Sequence, residues 1–225
     1  MNTPSIPSAE GHAPFEIPGL DEPSKTWYKI FGSLDDPGRP LITLHGGPGL
    51  NSAYLEILGD LVSPGKTNAV IVYDQIGNGN STHFRERMGD TSFFSIQLFI
   101  DELENLIKKL KIEEYDLLGH SWGGMLAASY AIRQPSGLKH LVLMSSASSK
   151  EVSSAEQRRL KASLPKPVLE VLERNEKAGT TNSLEYQEAM GVFYRTHLCR
   201  VYPMPEPVVQ GFKVIATDPT VTMTM

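Results

Sequence analysis

The sequence predicts an α/β protein with a mostly parallel sheet flanked by helices, and three patterns lead to that fold class. Short apolar runs alternate with segments of helical periodicity between about residues 40 and 144. Glycine-rich turns follow directly after two of these runs, at 46–49 and 119–124. The runs also lack polar alternation, which is typical of strands that helices cover on both faces.

The individual elements follow from periodicity and from turn residues. Residues 1–20 contain prolines at 4, 7, 14 and 18, and residues 1–24 are interpreted as an N-terminal arm. Over 96–110, apolar positions recur at helical spacing, with acids early and bases late, as the helix dipole prefers. In chain order, we predict strands at 25–34, 40–44, 69–73, 115–118 and 138–144, helices at 51–62, 96–110 and 125–134, and a turn at 63–66.

Beyond residue 150 the patterns are helical only. The segments 153–156 and 182–185 match capping boxes, in which a polar side chain and a glutamate three residues later satisfy the free amides of a helix start. Gly179 suits a helix end. We therefore predict an N-terminal arm at 1–24, the front half of a sheet core at 25–150 and a helical cap, cut short, at 151–225. The sheet is expected to be incomplete.

Composition excludes several classes of partner. The formal net charge of -5 provides no basic surface for nucleic acid or anionic lipid. The single cysteine, Cys199, excludes an internal disulfide, and the scattered histidines form no metal-ligand pattern. Neither glycine turn matches a nucleotide-binding pattern, so no cofactor is expected. No apolar run is long enough for a signal core or a membrane span, so the protein is expected to be cytoplasmic.

The strongest chemical signal is Gly-His-Ser-Trp-Gly at 119–123, which follows a predicted strand and opens a predicted helix. A serine hydroxyl is a weak nucleophile, so it must be presented on a sharp turn where a base can reach it. Small residues two before and two after Ser121 let that turn close. The N–H of Trp122 then points toward the developing oxyanion. The motif in this setting predicts an α/β-hydrolase fold with Ser121 as the nucleophile.

A second glycine motif, His-Gly-Gly-Pro-Gly at 45–49, follows an earlier predicted strand. An α/β hydrolase places the other oxyanion donor in such a loop. We expect the N–H of Gly47 to be that donor, with Gly46 as the near alternative, because Pro48 has no N–H. His45 precedes the nucleophile in the chain, so we expect it to hold the loop rather than to act as a base.

Three motifs together resemble the proline iminopeptidase family of serine peptidases. They are His-Gly-Gly-Pro-Gly at 45–49, Asp-Gln with its following glycines at 74–81, and Gly-His-Ser-Trp-Gly-Gly at 119–124. The likeness continues through 185–198, so it covers most of the chain from about residue 25. The resemblance implies release of an N-terminal proline, or a similar residue, from a small peptide or amino-acid amide through an acyl-enzyme on Ser121.

The chain departs from the family pattern at Asn80, where many members have arginine, and at Thr222, where tyrosine is common. In the family, the segment resembling 218–225 continues into Asn-Gly-Pro-x-Glu-Phe, whose glutamate helps bind the amino group of the substrate. The catalytic aspartate and histidine follow it. His197 is a poor substitute, because its predicted helix offers no carboxylate to orient it. The resemblance therefore implies a C-terminally truncated chain, which is expected to be nearly inactive without its base.

Two alternatives stay open. An amidase or esterase can share the scaffold, because the fold and the nucleophile turn do not fix the substrate. A non-catalytic protein that keeps the front half of a hydrolase for binding or regulation is the other. The oligomeric state is not legible from the sequence.

Overall fold

The computed structural model of the protein describes residues 6–63 and 67–225. The strands are β1 (Ala9–Phe15), β2 (Ser24–Gly32), β3 (Leu41–Leu44), β4 (Ala69–Tyr73), β5 (Tyr115–His120) and β6 (Leu138–Met144). They form a six-stranded sheet in the order β1-β2-β4-β3-β5-β6. β3 pairs in parallel with β4 and β5, and β5 pairs in parallel with β6, whereas β1 and β2 are antiparallel. The predicted fold class is confirmed.

The helices follow the predicted order with shifted ends. The α-helices are α1 (Ile96–Lys109), α2 (Trp122–Ala131), α3 (Lys150–Ala162), α4 (Lys166–Ala178), α5 (Leu184–His197), α6 (Glu206–Thr217) and α7 (Thr220–Thr224). The helix predicted at 51–62 is a 3₁₀ helix, Ala53–Leu61. α2 begins three residues before its predicted start, because the turn at Ser121 leads directly into it. The turn predicted at 63–66 falls mainly on 64–66, outside the described residues.

Strand β1 lies within the segment interpreted as an arm, and it was not predicted. It pairs antiparallel with β2 along its whole length, from Ala9 opposite Ile30 to Phe15 opposite Ser24. Pro14 lacks an N–H, but β1 occupies the edge of the sheet, where a strand can lack one donor. The sequence signal for a strand was therefore masked by a residue that an edge position tolerates.

The predicted helix caps are partly wrong. Ser153 lies inside α3, whose N-cap is Ser149, with its hydroxyl accepting a hydrogen bond from the Val152 N–H. The second capping box is displaced by one residue, because Ser183 rather than Asn182 caps α5. Both errors arise because neighbouring polar residues compete for one cap position. Gly179 ends α4 in the left-handed conformation, as predicted.

Apolar side chains cover the central strands on both faces. One buried cluster contains Ile42, Ile71 and Leu117 with Phe99 and Leu103 of α1, and the other contains Val70, Val72 and Leu118 with Leu55 of the 3₁₀ helix. Successive residues of β4 thus face opposite clusters. Because β3, β4 and β5 run in parallel, their carboxyl ends meet at one edge of the sheet. The loops that follow these strands are therefore brought together.

Strand β6 forms the other edge of the sheet within the described residues. Its apolar side chains are partly exposed, with Leu141, Val142 and Leu143 at 36%, 45% and 51%. An edge strand presents unpaired backbone groups, and here it also presents apolar surface.

The chain divides into two compact units, which are Met1–Ala147 with Gln210–Met225, and Ser148–Val209. The second unit contains α3, α4 and α5 around a small buried cluster of Leu164, Leu172 and Ala189. The boundary falls inside α6, and the domain limits given above stay a prediction. No helix within residues 6–63 and 67–225 has the length and apolarity needed to cross a bilayer.

Candidate active site

Ser121 lies on the turn between β5 and α2 with φ 54° and ψ -119°. This conformation is unusual for a residue with a side chain and costs energy unless its surroundings impose it. The Ser121 N–H donates to the Met144 carbonyl at the end of β6 over 3.0 Å. The hydroxyl of Ser146 donates to the Ser121 carbonyl over 2.9 Å. The residues at and after the end of β6 thus help to hold the strained turn.

The two flanking glycines of the turn are required by close backbone approach. A Cβ on Gly119 would lie 2.2 Å from the Gly123 carbonyl oxygen, and a Cβ on Gly123 would lie 2.2 Å from the Leu44 carbonyl oxygen. Neither contact is possible for a larger residue, because both obstacles are backbone atoms. The sequence argument that small residues let this turn close therefore has a direct structural basis.

The loop 45–49 lies against the nucleophile turn. A Cβ on Gly46 would be 3.1 Å from the Cβ of Ser121. The Gly46 N–H donates to the hydroxyl of Tyr54 over 2.7 Å, so it is already engaged. Gly47 is exposed and has φ 125°. Within residues 6–63 and 67–225, the N–H groups of Gly47 and Trp122 have no recorded acceptor.

His45 is buried and holds the loop through both ring nitrogens. The Gln75 N–H donates to its Nε2 over 2.9 Å, and its Nδ1 lies 3.0 Å from the Gly46 carbonyl. Nε2 must accept, so Nδ1 carries the proton and donates. Burial lowers the pKa of His45 despite the nearby carboxylate of Asp74. The neutral ring is a fixed bridge, and both nitrogens are occupied.

Tyr54 joins the loop 45–49 to the turn that carries Ser121, and sequence reasoning missed it. Its hydroxyl accepts from the Gly46 N–H and is hydrogen-bonded to Nδ1 of His120 over 2.8 Å. Burial raises the pKa of Tyr54 and lowers the pKa of His120, so a neutral tyrosine and a neutral imidazole are favoured. No local pattern distinguishes this tyrosine from any other on a helix.

The loop after β4 provides the remaining support. The Gln75 amide donates to the His45 carbonyl over 2.9 Å, and its oxygen accepts from the Trp122 indole over 3.2 Å. Asp74 accepts from the N–H and the hydroxyl of Ser52 and from the Asn80 N–H. The Asp-Gln pair directly after a buried strand was the signal available in the sequence. The pair contains Gln75, which links the loop 45–49 to Trp122 beside Ser121.

A proton acceptor for Ser121 is not present among the described contacts. Its hydroxyl has no recorded hydrogen-bond partner within residues 6–63 and 67–225. The histidines bond elsewhere in the same unit: His12 to the Asn80 carbonyl, His45 to Gln75 and Gly46, His83 to Asp218, His120 to Tyr54, and His140 to Asp116. His197 lies on α5 in the other unit. The described side chains also contain no cluster of three or more residues suited to a metal ion.

Comparison with known proteins identifies the scaffold. A family model described as the alpha/beta hydrolase fold matches residues 39–219. The proline iminopeptidase of Clostridium botulinum (strain Hall) is 38% identical over 200 residues, which cover 88% of this chain and 66% of that protein. A Lactobacillus delbrueckii subsp. bulgaricus proline iminopeptidase is 39% identical, and 63% of its length is covered. The chain thus spans 63% to 66% of the length of these relatives.

Solved structures agree over nearly the whole chain. The crystal structure of VinJ superposes with a TM-score of 0.90 at 42% identity, covering 98% of this chain and 71% of that one. The proline iminopeptidase of Mycobacterium smegmatis superposes with a TM-score of 0.83 at 39% identity, covering 95% of this chain and 69% of that one. The chain therefore belongs to the α/β-hydrolase fold family and, within it, to the proline iminopeptidase family.

Proposed function

We propose that the protein is a serine hydrolase that releases an N-terminal proline, or a similar residue, from small peptides or amino-acid amides. The observation that carries the proposal is the strained Ser121, together with the N–H groups of Gly47 in the neighbouring loop and of Trp122 at the start of α2, which have no acceptor among the described residues. Free backbone donors beside a nucleophile are the arrangement that stabilises a developing oxyanion. The two relatives described above are proline iminopeptidases, which supports the proline class of substrate.

The proposed reaction proceeds through an acyl-enzyme. The Ser121 oxygen bonds to the substrate carbonyl carbon while its proton passes to a base. The carbonyl oxygen becomes an oxyanion that accepts from the Gly47 and Trp122 N–H groups. Its collapse breaks the carbon–nitrogen bond, and the leaving amine takes the proton; water then hydrolyses the ester by the same steps. Gly46 is the weaker candidate donor, because Tyr54 accepts its N–H.

We further propose that the 225 residues alone turn over substrate very slowly. The histidines of the sheet unit are bonded to other groups, and the Ser121 hydroxyl has no recorded partner among the described residues. Loss of the base typically lowers the rate by several orders of magnitude, although oxyanion stabilisation still gives some rate enhancement.

Chemical rescue with free imidazole tests both proposals. A dissolved imidazole can take the proton of the Ser121 hydroxyl, for which the described residues offer no acceptor. We expect the hydrolysis of proline 4-nitrophenyl ester to rise in proportion to imidazole concentration, at least about tenfold faster with the wild type than with Ser121→Ala. The Ser121→Ala protein corrects for hydrolysis by imidazole itself. Without imidazole, wild type and variant should differ little.

The choice of ester separates the candidate functions. Cyclopentanecarboxylic acid 4-nitrophenyl ester has the same ring size but lacks the amine. Each rescued rate is divided by the rate that imidazole gives with Ser121→Ala on the same ester, because the amine itself changes the reactivity of the ester. A larger ratio with the prolyl ester supports the peptidase proposal, whereas rescue of the amine-free ester alone supports an esterase. No Ser121-dependent rate with either ester would contradict the hydrolase proposal and support a non-catalytic protein. A Ser121-dependent rate without imidazole that equals the rescued rate would contradict the proposed slow turnover.

A further inference from the structure

Helix α7 lies against the loop that carries Gly47. The hydroxyl of Thr222 donates to the Pro48 carbonyl over 2.8 Å. A Cβ on Gly49 would lie 1.9 Å from that same hydroxyl oxygen and 3.1 Å from the Cβ of Thr222. Thr222 therefore occupies the space beside Gly49 and bonds to the residue before it.

The start of this segment is anchored by a buried carboxylate. Asp218 has a side chain that is 2% exposed and bonds through Oδ2 to Nδ1 of His83 and, over 3.2 Å, to Nε of Arg85. Its Oδ1 accepts from the N–H of Thr220 over 3.1 Å and from the Thr220 hydroxyl. The Asp218 carboxylate thus joins the first turn of α7 to the loop after β4.

Two further contacts fix the same segment. A Cβ on Gly77 would lie 2.6 Å from a methyl group of Val221, which is buried. The Gly89 N–H donates to the Thr224 hydroxyl over 2.8 Å. Residues 218–224, hereafter the C-terminal clamp, are thus bound to the loops that follow β3 and β4.

We propose that Thr222 is a positioning residue for the oxyanion loop. The inference rests on the proposed function, because it concerns the N–H of Gly47. Pro48 lies between two glycines with positive φ, 125° at Gly47 and 103° at Gly49. Glycine gives the backbone wide freedom, so this loop needs an external contact to hold one conformation. The Thr222 hydroxyl supplies that contact at the peptide next to the proposed donor.

The hydrogen bond to Pro48 depends on a side chain that differs from the one common in the family. Thr222 stands where tyrosine is common in the resembling family. The clamp around it does not depend on the hydroxyl, because Asp218, Val221 and Thr224 hold α7 through separate contacts. Removing the hydroxyl should therefore free the oxyanion loop without releasing the helix.

Backbone dynamics test the proposal without any catalysis. Thr222→Val keeps the shape but removes the donor, and Thr222→Ser restores it. We expect ¹⁵N order parameters of Gly47 and Gly49 to fall from about 0.85 to below about 0.6 in Thr222→Val and to recover in Thr222→Ser. Thr217→Val is the matched control, because its exposed hydroxyl bonds within α6 to the Lys213 carbonyl. It should leave both order parameters unchanged.

The imidazole-rescued reaction gives the second measurement. In Thr222→Val we expect the rate at saturating prolyl ester to fall at least about tenfold, with KM changed by less than about twofold, because oxyanion stabilisation is lost without loss of binding. Thr222→Ser should recover most of the rate, and Thr217→Val should match the wild type.

The outcomes separate the two proposals. If the wild type shows no Ser121-dependent rate, the proposed function fails, while the order parameters still test the clamp. If Thr222→Val lowers the thermal midpoint but leaves Gly47 and Gly49 as rigid as in the wild type, Thr222 has only a structural role and the inference is overturned. Equal rates in Thr222→Val and wild type would overturn it as well.

Discussion

The turn at 119–123, which carries Ser121, and the loop at 45–49 lie side by side, yet different forces hold them. The turn at 119–123 has two hydrogen bonds with residues at and after the end of β6, but its shape is set by steric contact, since each of its flanking glycines meets backbone atoms. The loop at 45–49 is held by hydrogen bonds, through His45, Gln75 and Tyr54 at its first two residues and through Thr222 at Pro48. A steric fit tolerates no added atom, whereas a set of hydrogen bonds can lose one member at a time. Substitutions should therefore act abruptly in the turn and gradually in the loop.

The largest expected effect is that of Gly123→Ala. Its Cβ would lie 2.2 Å from the Leu44 carbonyl oxygen, and the backbone of β3 cannot move without disrupting the sheet. We expect the free energy of unfolding to fall by at least about 4 kcal/mol, measured by urea denaturation. Gly191→Ala is the matched control, because its Cβ would meet only the end of the Arg195 side chain. Alanine should be neutral or stabilising in that helix. Equal stability of Gly123→Ala and wild type would refute the steric account.

Buried Glu102 supports the loop after β4, and it should make the free energy of unfolding depend on pH. Glu102 on α1 is fully buried and accepts from the Ile76 N–H and the Thr26 hydroxyl. Burial raises the pKa of Glu102 from 4.5 to about 8, although these hydrogen bonds oppose the shift. In the unfolded chain, the Glu102 carboxyl loses its proton at a lower pH than in the folded protein. The contribution of Glu102 to stability is therefore complete below pH 4.5 and is lost as the pH rises to about 8.

Glu102→Gln should remove this pH dependence. Between pH 5 and 8, the free energy of unfolding of the wild type should fall relative to that of the variant by on the order of 3 kcal/mol. The comparison is made as a difference, because burial lowers the pKa values of His45 and His120, and these residues contribute the opposite slope. Parallel stability curves for the two proteins in urea titrations across this range would contradict the prediction.

Gln75→Leu should have an intermediate effect. It removes the bonds to the His45 carbonyl and to the Trp122 indole but keeps the side-chain bulk. We expect a loss of about 2 kcal/mol in urea denaturation, because two buried polar groups lose their partner. Gln97→Leu is the control, since Gln97 is exposed and bonds to Asp101 and Arg133 at the surface. A loss as small as that of the control would show that Gln75 does not link the two loops.

Tyr54→Phe should have the smallest effect of the series. The ring keeps its packing against His120, and only the hydroxyl between the Gly46 N–H and His120 Nδ1 is lost. We expect a loss of about 1 kcal/mol in the free energy of unfolding. A loss exceeding that of Gln75→Leu would mean that the hydroxyl, rather than the glutamine, is the main support of the loop.

The sequence predicted the parts of the fold and site that depend on local pattern. β4 has the predicted bounds because it is an uninterrupted apolar run. β6 contains Lys139 and His140, and its bounds were predicted because turn residues at 135–137 and serines at 145 and 146 delimit it. The nucleophile turn was predicted because its geometry needs small residues at fixed spacing around Ser121. Strand β1 was missed because Pro14 is unfavourable in most strands, and its tolerance at an edge depends on the tertiary position.

The missed site residues share a different cause. Tyr54 bonds to a residue 66 positions away, and Thr222 bonds to a residue 174 positions away. A hydroxyl group with so distant a partner leaves no periodic or spacing signal in the sequence. Gln75 is the intermediate case, because its place after a buried strand marked the loop but not its two partners.

The bond between Thr222 and Pro48 also affects when the site can form during synthesis. The chain emerges from the ribosome N-terminus first, at about 5 to 20 residues per second. Thr222 lies 174 positions after Pro48, so at that rate it is made roughly 10 to 35 s later. During this time the loop has glycines on both sides of Pro48 and no clamp. The loop 45–49 of a nascent chain can therefore reach its final form only after Thr222 has been made.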